Sequence, residues 1–194
     1  MTDTSPLRET HDFYPTPPEG TRALLCAETF DGPIWEPAAG NGAISKVLEA
    51  AGYKVISTDL IDRGYGESGV NFLTETAPRA KHIITNPPYG RGLADQFVHH
   101  ALGLTQQTGG TVAMLLDLAS LAHPTRHYLF VHNPPANVYV LDELICQPGG
   151  RPRITTAELR YCWLLWKPPH QGPTTLRWLT TQPFKPRDYS RRRP

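Results

Sequence analysis

The sequence predicts an α/β protein built on a doubly wound, Rossmann-like sheet of seven strands. Three observations carry that expectation. Short β-branched or apolar runs alternate with stretches of helical spacing along most of the chain. Residues 111–116 form a continuous apolar run, as suits a parallel strand covered on both faces. A tight turn, Gly40-Asn41-Gly42, joins a strand to a helix, the position at which open α/β sheets bind ligands.

The elements follow in order. Residues 1–12 read as a disordered N-terminus. Tyr14-Pro15-Thr16-Pro17-Pro18-Glu19 is stiff and extended, because proline fixes its own φ and biases its predecessor away from helix. Pro18 and Glu19 suit the first turn of a helix reaching to about Phe30. Residues 33–38 read as a short strand, followed by the glycine turn. Ile44, Val47, Leu48 and Ala51 then recur at helical spacing, and Gly52 stops that helix. Strands are expected at 54–59, 70–73 and 81–85, the last ending at Asn86-Pro87-Pro88-Tyr89. Leu93, Phe97, Ala101 and Leu104 mark a helix before the apolar strand at 111–116. Strands at 138–141 and 159–166 complete the sheet, with Trp163 and Trp166 read as core or sheet surface. Residues 13–167 make one domain, and the Pro-rich chain from Pro168 to Pro194 is read as loop or tail.

With 194 residues, 39% of them hydrophobic, the chain can bury one sizeable core but not a large second domain as well. No apolar run approaches the ~18 residues of a membrane span, and the first residues lack the apolar core of a secretory signal. Three cysteines without CxxC spacing indicate a reducing cytoplasm and argue against a disulfide framework or a zinc site. The net charge of +1 hides an asymmetry: residues 1–150 hold 9 Lys+Arg and 16 Asp+Glu, residues 151–194 hold 10 and 2. Arg151, Arg153 and Arg160 flank the last strand and read equally as phosphate contacts or as ordinary strand-flanking charges. Arg191, Arg192 and Arg193 read as a solvated tail.

Two segments carry chemistry. The turn Glu36-Pro37-Ala38-Ala39-Gly40-Asn41-Gly42 lets a ligand approach the backbone, since glycine accepts positive φ. It lacks the third glycine of a dinucleotide fingerprint and the Gly-Lys-Ser/Thr of a P-loop, so a nucleoside with a small polar arm suits it better than a diphosphate. Asp59 ends the next strand, where a carboxylate can accept from two ribose hydroxyls. A Gly-x-Gly turn alone often only connects elements, but the acid beyond it favours ligand binding. Asn86-Pro87-Pro88-Tyr89 is more specific. Two prolines stiffen the backbone and leave carbonyls free, so the Asn86 amide oxygen and the Pro87 carbonyl can accept from one NH₂ group. Tyr89 supplies a flat face for stacking. That arrangement activates a conjugated amine without a strong base.

Other groups read more plainly. His123 and His127 stand four apart but flank Pro124 and lack an HExxH glutamate, so no residue is assigned to a metal. Asp142-Glu143 reads as strand-end charge, and Gly149-Gly150-Arg151-Pro152-Arg153 as a basic loop that either reads DNA or only connects strands.

Together these motifs resemble those of the amino-methyltransferases of DNA. Asn86-Pro87-Pro88-Tyr89 is similar to their catalytic motif, and residues 36–42 to their cofactor motif in its N6-adenine form. The segment from Tyr14 to Glu19 resembles the piece that covers the methionine end of the cofactor, and the motif order is that of the gamma arrangement. The small size and the stretch Asp59-Leu60-Ile61-Asp62-Arg63-Gly64-Tyr65-Gly66 look like the small phage or prophage members.

The resemblance spans about residues 12–166. It implies a class I methyltransferase fold and S-adenosylmethionine as cofactor. Its substrate would be double-stranded DNA, methylated at the N6 amine of a flipped adenine. Tyr14, Thr16, Pro17, Glu36, Pro37, Ala38, Gly40 and Gly42 would hold the methionine portion, Asp59 the ribose, and Leu60 the cofactor adenine. Asn71-Phe72 stands where the family often has Asp-Phe near the adenine edge. An aromatic that many members carry near Ile145 has no counterpart in residues 140–149. RNA adenine or protein glutamine methylation, and a silent nucleic-acid-binding scaffold, are the alternatives.

Overall fold

A computed structural model describes residues 13–146 and 160–185. Residues 1–12, Arg151, Arg153 and Arg191 to Arg193, with the readings placed on them, lie outside the described residues. The elements are α1 (Pro18–Ala27), β1 (Ile34–Glu36), α2 (Ser45–Ala50), β2 (Val55–Asp59), β3 (Glu67–Ser68), β4 (His82–Thr85), α3 (Leu93–Thr105), β5 (Val112–Asp117), α4 (His127–His132), β6 (Asn137–Leu141), β7 (Tyr161–Trp166) and β8 (Thr175–Leu179). They form one mixed sheet in the order β3-β2-β1-β4-β5-β7-β6-β8. The strands from β3 to β5 pair in parallel, β7 runs antiparallel to both β5 and β6, and β8 is parallel to β6.

The sheet is covered on both sides, which explains why its central strands are apolar without interruption. Ile83, Val112, Met114, Leu164 and Trp166 face α3 and α4; Ile84, Ala113, Leu115, Trp163 and Leu165 face α1 and α2. Each fully buried Leu or Ile contributes about 1.5–3 kcal/mol of transfer free energy. Two indole donors are satisfied within these layers, Trp163 Nε1 by the Gly20 carbonyl (3.0 Å) and Trp35 Nε1 by Thr58 Oγ1 (2.9 Å). The first of these pins α1 to β7, and with it the extended segment that enters α1 through Pro17 (φ −58°, ψ 142°).

The α/β class and the doubly wound sheet agree with the sequence, and eight strands replace the expected seven. Two segments differ. Residues 70–73 are not a strand: the Asn71 side chain accepts from Leu73 N (3.1 Å) and caps a 3₁₀ turn at Phe72–Thr74. The strand beside β2 is instead the short β3. Beyond Pro168, where loop or tail was expected, β8 pairs with β6 over five residues and adds a strand to the sheet.

Candidate active site

The chain order reverses at β1, which has β2 on one side and β4 on the other. Such a switch point leaves a crevice outside the carboxyl ends of the strands. Here it is a cavity open to solvent that runs from the glycine turn to the end of β4. Tyr14, Thr16, Glu36, Pro37, Ala38, Gly40, Asp59, Leu60, Asn71, Phe72, Asn86 and Pro88 all line it. Phe72 is nevertheless mainly a core residue, stacked edge-on against Trp35 and His100.

Glu36 ends β1 and is almost fully buried, at 1% exposure. Ser45 N (2.8 Å) and Ser45 Oγ both donate to its Oε2, which ties the carboxylate to the start of α2. Burial pushes its pKa up to about 8, Ser45 opposing the shift and the nearby Asp59 carboxylate reinforcing it. No cation pairs with Glu36 among the described residues, and both Ser45 bonds fall on one oxygen. The residue is thus a buried carboxylate on a cavity wall that lacks a counter-charge.

Asp59 at the end of β2 accepts from Gly40 N (2.7 Å) through Oδ2 and from Ile61 N (2.8 Å) through Oδ1. It therefore braces the glycine turn against the following loop, and each oxygen retains a further lone pair for a ligand hydroxyl. Beside it Leu60 lines the cavity and leaves 56% of its surface exposed, an apolar wall.

At the other end of the cavity the Asn86 side chain is held from three sides. Its Nδ2 donates to the Tyr14 carbonyl (3.0 Å) and to Thr16 Oγ1 (3.1 Å). Its Oδ1 accepts from the Tyr89 hydroxyl (2.7 Å), which also lies 2.9 Å from the Leu115 carbonyl. Burial raises the Tyr89 pKa well above its ordinary value, so the hydroxyl stays a donor.

Five sequence candidates among the described residues do not line the cavity. Pro17 is the cap residue before α1, and Pro87 is buried. Tyr89 is half-buried, packed against both hydrophobic layers. Gly42 (φ +77°) lies under Tyr65, whose ring would be 2.5 Å from an added Cβ; its glycine makes room for a side chain of the protein. Arg160 is exposed at the start of β7, where its carbonyl accepts from Leu118 N (2.6 Å). Because β7 is antiparallel to β5, this is the cavity end of the sheet.

The sequence reading also missed part of the wall. The ring of Phe13 covers Gly40, where an added Cβ would come within 2.8 Å of it, and the Arg63 guanidinium lies 4.2 Å from that ring. Leu93 and Phe97 close the side nearest α3. Phe13 adjoins the Tyr14–Thr16 segment and could have been included with it; the helical spacing of Leu93 and Phe97, and the place of Arg63 after Asp59, do not reveal that these side chains reach a cavity.

This architecture, with the cavity at its switch point, is the Rossmann-like fold of class I methyltransferases. Among solved structures it is similar to a candidate class I S-adenosylmethionine-dependent methyltransferase from Listeria monocytogenes. That pair shares 14% identity over 91% of this chain and 68% of the other, with a TM-score of 0.57. A candidate RNA methyltransferase from Pyrococcus horikoshii shares 13% identity over 81% of this chain and 88% of its own, at TM-score 0.58. A modification subunit of a candidate type I restriction enzyme from Vibrio vulnificus shares 15% over 84% of this chain, at TM-score 0.55, and the match spans only 45% of that subunit. Likeness at these identities concerns the fold. No protein-family model and no curated protein matches the sequence. No helix among the described residues is long and apolar enough to cross a membrane.

Proposed function

We propose that the protein transfers a methyl group from S-adenosylmethionine to the exocyclic N6 amine of adenine in DNA. One observation carries the reading: a single cavity has an uncompensated buried carboxylate and a glycine turn at one end and Asn86 at the other. The residues fit the cofactor. Glu36 would answer its positive charge, Asp59 its ribose hydroxyls, and Leu60 its adenine face. When bound, it supplies an electrophilic methyl on a sulfonium.

The chain's own groups do the rest. A target adenine must leave the duplex, at a cost of a few kcal/mol, because its amine is otherwise paired and stacked. Asn86 Oδ1 and the Pro87 carbonyl accept from its two amine hydrogens and draw the lone pair out of conjugation. The Tyr89 hydroxyl yields its place on Oδ1 and keeps the Leu115 carbonyl as acceptor. The uncovered part of the Tyr89 ring offers a face for the base. Positioning and electrostatics carry the rate; no titrating side chain is involved, and the proton that the methylated amine sheds passes to water. Arg160, with Arg151 and Arg153, supplies positive charge for the phosphates. Adenine in DNA is favoured over a glutamine side chain because residues 36–42 and 86–89 together resemble the N6-adenine enzymes. RNA adenine is the nearest alternative substrate.

The test offers labelled cofactor with DNA, RNA and protein, followed by nucleoside and amino-acid analysis. N6-methyladenine in DNA is expected. Asn86→Ala should reduce transfer at least ~100-fold, the range for removing one preorganised polar group, while cofactor affinity persists. A variant that keeps most of its activity would remove Asn86 from the chemistry.

A further inference from the structure

We infer that the Thr16 hydroxyl, seated beside the Tyr14 carbonyl, is a positioning residue for the Asn86 amide, so that the N-terminal segment belongs to the catalytic corner as well as to the cofactor wall. This rests on the proposed methyl transfer.

The argument starts from the amide. An asparagine side chain has a broad, nearly two-fold torsion at its end, and its oxygen and nitrogen are close in size. Left alone at a strand end, it samples both orientations. Only one presents Oδ1 for a target amine. Here both Nδ2 hydrogens are used, one on the Tyr14 carbonyl and one on Thr16 Oγ1. A flipped amide would set Oδ1 against the Tyr14 carbonyl, two acceptors with no proton between them. The segment therefore selects the orientation. Thr16 can do so because it is itself fixed: it is 3% exposed, and its methyl lies over Gly20, where an added Cβ would meet Cγ2 at 3.5 Å. Pro15 and Pro17 on either side stiffen the backbone. Gly20 is in turn tied to Trp163 in the core.

The same four residues, Phe13 to Thr16, line the cofactor cavity. Seating of the segment and alignment of Asn86 are thus one event. A target admitted while the segment is displaced meets an amide free to turn.

Thr16→Val keeps the shape of the side chain and removes the acceptor; Thr16→Ser restores it. Three quantities decide the matter: cofactor affinity by calorimetry, the single-turnover rate at saturating cofactor and DNA, and the Asn86 side-chain amide resonances, identified by their loss in Asn86→Ala. For Thr16→Val we expect a rate at least tenfold below the native protein, an affinity within about twofold of it, and faster hydrogen exchange at the Asn86 amide. Thr16→Ser should recover the rate to within about threefold. Loss of affinity with an unchanged saturating rate would make Thr16 a cofactor contact only and overturn the inference, as would an unaltered Asn86 amide. The amide signal is read without turnover. If the native protein methylates nothing, the functional reading fails, while the clamp on Asn86 is still decided by its resonances.

Discussion

At the scale of single residues the cavity turns on one carboxylate. Glu36 has a folded pKa of about 8 against an ordinary 4.5, so between these values the folded chain retains a proton that the unfolded chain has released. The associated stability is complete below pH 4.5 and is lost as pH rises towards 8, by at most ~1.4 kcal/mol per pH unit. Denaturant midpoints from pH 5 to 8 should therefore fall more steeply in the native protein than in Glu36→Gln; parallel curves would show that burial is not what sets this group. A cationic ligand acts the other way. It favours the ionised carboxylate, so S-adenosylmethionine affinity should rise over the same interval and Glu36→Gln should flatten that rise. Gly42 offers a second residue-scale test, because its neighbour is Tyr65 and not the cavity. Gly42→Ala places a Cβ 2.5 Å from that ring at a φ of +77°. It should destabilise by more than the ~1 kcal/mol typical of alanine forced into positive φ. Adding Tyr65→Ala should recover part of that loss, the steric part. An additive pair of losses would mean that the ring moves aside freely.

Among the elements, those that seat the site were the most legible. β1, β2, β4 and β5 announce themselves by contiguous apolar residues ended by turn chemistry, and residues 36–42 and 86–89 are local motifs whose meaning does not depend on distant chain. What escaped was non-local. Arg63, Leu93 and Phe97 reach the cavity only because the sheet brings their segments together, and Tyr65 covers Gly42 from the loop after β2. Residues 70–73 carried a strand's composition, but Asn71 competes for the backbone and turns the chain. β8 was hidden by the prolines around it. It is an edge strand, where such neighbours are tolerated, and Trp178 stands 75% exposed on it. Its end is fastened by Asp142, whose Oδ1 accepts from Thr181 N (2.6 Å) and Thr181 Oγ1 (2.8 Å). Asp142→Ala should speed hydrogen exchange in β8 and leave β5 protected; equal change in both strands would mean that β8 unfolds only with the whole sheet.

For the molecule as a whole, the cavity joins parts that are far apart in sequence: the segment at 13–16, the ends of β1, β2 and β4, and the start of α3. None of these surfaces meets in the unfolded chain, so a ligand that fills the cavity binds the native state alone and stabilises it by mass action. At a hundred times its dissociation constant the gain is ~2.7 kcal/mol. For a chain of this size each kcal/mol raises the unfolding midpoint by about 2–4 °C, so S-adenosylmethionine should raise it by about 5–10 °C. The chemistry of the walls makes the effect selective. The glycine turn lacks the third glycine that admits a pyrophosphate and the lysine of a phosphate loop. ATP and NAD at the same concentration should leave the midpoint within about 1 °C. The shift should shrink in Glu36→Gln, which keeps the shape of the wall and removes its charge. A midpoint that moves with NAD but not with S-adenosylmethionine would mean that the switch-point crevice serves a dinucleotide, and the reading of Glu36 as a counter-charge would fall with it.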